Sequence, residues 1–87
     1  MTNFRTNTET IRNKTYRFSD DLGRVVFYIE TDLYTYRDGS VVTEKKFCRE
    51  DYREYTNPSR RYQEFKNEKS FNSTMSRMIK EGLEKIS

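Results

Sequence analysis

The dipeptide Asp38-Gly39 constrains this chain more than any other feature, because it separates two runs rich in β-branched and aromatic residues. Asp-Gly in that setting is the strongest short-range hairpin signal, and its favoured form is a two-residue type I′ loop with positive φ at both positions. Read so, Arg37 pairs with Ser40. Tyr36 then faces Val41, Tyr34 faces Thr43, Asp32 faces Lys45 and Ile29 faces Cys48. Asp32 against Lys45 is an opposite-charge cross-strand pair that supports this register. Leu33 against Glu44 fits less well, as at a bulge.

The strand leading into the turn, residues 24–37, carries Val25, Phe27, Ile29 and Leu33 on its odd face, which reads as the core. Its even face, with Tyr28, Glu30, Asp32, Tyr34 and Tyr36, is amphipathic and partly wet. Residues 11–18 also alternate, with Lys14, Tyr16 and Phe18 on one side and Thr15 and Arg17 on the other. A turn at residues 19–23 follows, with Gly23 free to take positive φ. Residues 1–10 are mostly Thr and Asn and read as a flexible N-terminal arm or an edge extension.

Beyond Cys48 the spacing changes. Tyr52 and Tyr55 are three apart, as in a helical turn. Asn57-Pro58-Ser59 breaks the chain, and Ser59 can cap a short helix in which Tyr62 and Phe65 are again three apart. Phe71, Met75, Met78, Ile79, Gly82, Leu83 and Ile86 follow the apolar spacing of an amphipathic helix, with Ser70, Asn72 or Ser73 as its cap. The expected architecture is α+β. A three-stranded antiparallel meander is followed by one or two helices, the C-terminal amphipathic helix packed on the sheet, with residues 11–87 forming one domain.

Seven Tyr and six Phe outnumber the eleven Val, Ile and Leu, and Ala and Trp are absent, so aromatic rings must build much of the core. A core at this length is thin, and oligomerisation would be a natural supplement. Histidine is absent as well. That removes the commonest general base and the commonest metal ligand. Cys48 has no His to activate it and no second Cys, and reads as a small buried hydrophobe on the Ile29 face. Asp20-Asp21 and Glu50-Asp51 lack a third ligand at useful spacing, so no metal or other cofactor is expected. No apolar stretch reaches the length of a membrane span, and the polar start lacks a signal-peptide core, which gives the expectation of a soluble cytoplasmic protein.

The net charge of +3 is mildly basic, so distribution has to decide what it serves. Arg12, Lys14 and Arg17 lie on the first strand, Lys45, Lys46, Arg49 and Arg53 follow the hairpin, and Arg60 and Arg61 follow the Pro-Ser turn. Tyr52, Tyr55 and Tyr62 are interleaved with them. Guanidinium and ammonium groups neutralise phosphates while tyrosine rings stack on unpaired bases, a combination suited to RNA or single strands. These twelve residues form the expected nucleic-acid-binding set.

Lys, Arg, Tyr and Glu can also cleave RNA in small ribosome-dependent toxin nucleases. Those usually place helices before the sheet, whereas here the convincing helix is last. The compact size, the absence of cofactor motifs and an Asn/Lys/Tyr-rich composition look like the small early proteins of tailed phages, many of which block host defences. That resemblance implies a non-catalytic inhibitor of a host defence nuclease, a toxin endoribonuclease or a CRISPR effector, acting with or through RNA. A plain RNA-binding regulator is the alternative.

Overall fold

Two tight turns lay three long strands side by side. Described for residues 2–86, the computed structural model has β1 (Arg5–Asp20), β2 (Gly23–Tyr36) and β3 (Val41–Asp51), then a single 3-10 turn (Pro58–Arg60), β4 (Tyr62–Phe65), α1 (Glu68–Lys80) and β5 (Glu84–Lys85). All strand pairs are antiparallel, in the order β4-β3-β2-β1-β5. Among the described residues no helix is long and apolar enough to cross a membrane.

The expected three-stranded meander with one or two helices is therefore replaced by a five-stranded sheet with one helix. Residues 62–65, expected as a helix, form β4 along Phe47–Glu50 of β3. Three-residue spacing puts two side chains on one face of a helix but on opposite faces of a strand. Phe65 duly enters the core while Tyr62 turns to the other side, beside Cys48. The helix also ends sooner than its apolar spacing implied. After Lys80 the chain turns at Gly82, closed by Leu83 N–H to Met78 C=O at 3.1 Å, and β5 crosses to Phe18 and Ser19. Its cap is Asn67, whose side chain accepts from Ser70 N–H, rather than Ser70, Asn72 or Ser73.

The hairpin register also differs by one residue. Asp38 has negative φ, which rules out type I′, and Gly39 alone in the loop is left-handed, at φ 88°. Gly39 N–H bonds to Tyr36 C=O and Tyr36 N–H to Ser40 C=O, giving a three-residue loop ending on a left-handed glycine. The Asp38 carboxylate accepts from Ser40 N–H at 2.9 Å and holds that loop. Thr35 consequently pairs with Val41, Leu33 with Thr43, Asp32 with Glu44 and Ile29 with Phe47. The Leu33–Glu44 conflict vanishes. Cys48 moves opposite Tyr28, to the face away from the helix, though it is fully buried.

The core lies under α1, on what we call the front face. Phe71 of the helix meets Phe27, Phe47 and Phe65 at centroid distances of 5.7, 5.5 and 5.8 Å, and Phe18 packs edge-on against Phe27. Val25, Met78 and Leu83 complete the buried cluster. This cover stops at the row Lys14–Ile29–Phe47. Beyond it β1, β2 and β3 continue as a three-stranded arm without a helix, and residues 5–10 are paired into it. The radius of gyration, 16.3 Å, accordingly exceeds the about 12 Å of a compact chain this long, and the longest extent is 55 Å. Met1, at the start of the expected flexible arm, lies outside the described residues.

Candidate nucleic-acid interface

Among the described residues no element covers the back face of the sheet, so its polar side chains cover it themselves. Tyr28 is only 3% exposed there, because the Arg12 guanidinium lies over its ring, 3.7 Å from the centroid. Arg12 is held in place by Glu30 at 3.3 Å and Glu50 at 3.8 Å. Burial and the Glu50 carboxylate push the Tyr28 hydroxyl above its ordinary pKa. Further out, Asp32 is buried and accepts from the Thr10 hydroxyl at 2.7 Å and the Tyr34 hydroxyl at 3.2 Å. Lys46 pairs with it at 3.0 Å, and these partners hold the carboxyl below its usual range. Arg5 lies over Tyr34, 4.1 Å from its centroid.

At the base, the end of the sheet whose front is covered by α1, the back face is more open. Tyr52 lies between Arg24 of β2 and Arg61 before β4, whose guanidinium carbons are 5.2 and 5.5 Å from its ring centroid. Two backbone bonds fix that order: Tyr52 N–H to Arg24 C=O and Asp51 N–H to Arg61 C=O. Its hydroxyl donates to Glu50 at 2.7 Å, and that carboxylate, with burial, raises the hydroxyl pKa. Tyr62 is 54% exposed, although its hydroxyl lies 3.4 Å from Cys48 Sγ and reaches Glu64. The Cys48 contact and burial push that hydroxyl pKa up, so the ring is an uncharged platform at neutral pH.

The twelve residues expected to bind nucleic acid do not form one surface. Arg17, Tyr52, Arg61 and Tyr62 share the base of the back face, with exposed Arg60 in the neighbouring turn. Arg12 and Lys46 are on the same face but are engaged with carboxylates. Lys14 and Lys45 are on the front, beside Ile29 and Thr31. Arg49 is opposite Phe27 under the helix, with Nη1 donating to Met78 Sδ at 3.4 Å, and burial lowers its pKa. Arg53 clamps Asp51 at 2.8 Å and Asp20 at 3.5 Å, with Tyr55 beside it. Arg24 was not in the expected set. Its signal was the even face of β2, which begins with it.

Charge divides along the same line. The arm holds Arg5, Arg12, Arg37, Lys45 and Lys46 against Glu9, Glu30, Asp32, Asp38 and Glu44, so it is neutral. The chain's net +3 therefore resides in the base. Among the described residues no group of three or more His, Cys, Asp or Glu could hold a metal ion. No protein-family model matches the chain, and no curated protein or solved structure matches it.

Proposed function

We propose that this is a small, non-catalytic binding protein that holds single-stranded RNA against the back face of its sheet, at the end whose front carries the helix. The observation that carries the reading is Tyr52 flanked by Arg24 and Arg61, with half-exposed Tyr62 on the adjacent strand. Guanidinium groups spaced along an open sheet face suit phosphates, and an exposed ring suits an unstacked base. Because Arg24 and Arg61 flank Tyr52, bases stack on Tyr62 while the two arginines take phosphates. The excess positive charge of the base supports that polarity, and the neutral arm leaves a second surface for a protein.

In this reading the protein blocks a host defence nuclease with the help of RNA, as its likeness to small phage early proteins suggests. A titration of a labelled single-stranded RNA against a duplex of the same sequence tests the contact. Preference for the single strand supports it, and no binding to either at low salt overturns it. An RNA-binding regulator would use the same interface, and a nuclease assay with and without added RNA separates the two roles.

A further inference from the structure

β1 forms the arm's outer edge, since β5 covers it only at Phe18 and Ser19. Along the arm, one row of its backbone N–H and C=O groups has no neighbouring strand among the described residues. The pairing identifies that row. Tyr36 N–H bonds to Ser40 and Arg37 N–H to Phe4, so even residues of β2 turn their backbone toward β3 and odd ones toward β1. Asn7, Glu9 and Ile11 face Thr35, Leu33 and Thr31 and direct theirs to β2. Thr8, Thr10 and Arg12 therefore point their N–H and C=O groups outward.

Free edges invite a further strand, and proteins usually guard them with Pro, Lys or bulges. Here register shifts between Arg5 and Asn7 and between Arg12 and Lys14 bound a regular window, Asn7–Arg12, that contains neither Pro nor Lys. Ile11 in the same window is 42% exposed. Unpaired backbone and an exposed apolar side chain coincide, and one added strand answers both.

We infer that this window pairs antiparallel with the same window of a second copy, about a twofold axis through Thr10. That register sets Thr10 against Thr10 of the second copy and Thr8 against its Arg12, matching outward backbone groups to outward backbone groups. Ile11 meets Glu9 of the second copy, and no like charges face each other, whereas an axis at Glu9 would oppose two carboxylates. Arm neutrality favours a second arm over a strongly charged partner. The contact is one strand edge, far below the ~800 Å² per partner of a standard interface, so the dimer is weak and concentration-dependent. This inference stands independently of the RNA reading.

The test is amide hydrogen exchange by NMR, with sedimentation, on the intact protein from dilute to near-millimolar concentration. The apparent mass should rise toward about twice the monomer as concentration increases. The amides of Thr8, Thr10 and Arg12 should gain about tenfold protection or more, while Asn7, Glu9 and Ile11 stay protected throughout. Thr10→Pro removes an outward N–H that β2 does not use and should abolish association, whereas Thr10→Val keeps it. Protection at Asn7, Glu9 and Ile11 reports whether the proline variant is folded; if it is not, the wild-type exchange pattern decides alone. A monomer at the highest concentration, or a dimer whose Thr8, Thr10 and Arg12 amides stay open, overturns the inference.

Discussion

The guanidinium of Arg12 lies 3.7 Å from the centroid of the Tyr28 ring and buries it on the face opposite α1. An arginine that a basic-residue count assigns to phosphate is thus part of the fold, fixed between Glu30 and Glu50. Arg12→Ala should destabilise the protein by about 1–2 kcal/mol through lost cation–π and packing contacts. Arg12→Lys should recover only part of that, because an ammonium does not stack as a planar group does. Urea denaturation of the three proteins checks the order; equal midpoints would remove Arg12 from the fold's support.

Gly23 and Gly39 both have positive φ but differ in their surroundings. A Cβ on Gly23 would lie 2.9 Å from Arg53 Cα and Tyr52 O, both backbone, whereas among the described residues nothing lies within 4 Å of one on Gly39. Gly39→Ala should cost about 1 kcal/mol from backbone strain alone. Gly23→Ala should cost clearly more, since the chain after β3 must also move. Paired urea melts decide, and a larger loss at Gly39 would contradict the packing around Gly23.

Phe71 is the hub of the front core, ringed by Tyr16, Phe27, Phe47 and Phe65. Phe71→Ala should cost about 3–5 kcal/mol, enough to unfold much of the population of a domain this small. Phe71→Leu should retain the fold at reduced stability. Circular dichroism with thermal melting checks both; a well-folded alanine variant would show that α1 is dispensable.

Stability should fall in acid. Burial pushes the Asp51 carboxyl up, but the Arg53 guanidinium and backbone N–H outweigh it and hold the group below its ordinary value. The Thr10 hydroxyl, then Lys46, does the same for Asp32. Folded values below the unfolded value of ~3.9 contribute stability that is complete above that pH and is lost as pH falls through the folded values. Denaturation midpoints should therefore drop as pH falls below about 4. Asp51→Asn should be less stable at neutral pH and flatter in acid; an unchanged acid slope would contradict the assignment.

The front of the base was the most legible part of the sequence. Val25, Phe27 and Phe18 alternate, and Phe71 and Met78 keep helical spacing, because each segment buries a single face. Legibility ended where one local pattern served two structures. Asp38-Gly39 suits a two-residue or a three-residue loop, and that single residue decides which face Cys48 occupies. Tyr62 and Phe65 fit a helical turn as well as a strand, and only the vacant edge of β3 selects the strand. For the site, residue type could not separate a cation facing solvent from one spent inside the fold. Arg12, Arg49 and Arg53 look like Arg60 and Arg61 in the sequence, yet Tyr28, Met78 and Asp51 engage the first three.

Arg24 and Arg61, on either side of Tyr52, are the phosphate contacts of the proposed RNA complex. The direct measurement is the salt dependence of single-stranded RNA affinity, by fluorescence anisotropy, for the wild type, Arg24→Gln/Arg61→Gln, Tyr62→Ala and Arg12→Ala. Each lost phosphate contact on a single strand should flatten the log–log slope by about 0.7, so the double variant should bind more weakly and lose about 1.4. Tyr62→Ala should weaken affinity with little change in slope, since stacking releases no counterions, and folded Arg12→Ala should keep the wild-type slope. Wild-type affinity and slope in the Arg24→Gln/Arg61→Gln protein would contradict the account.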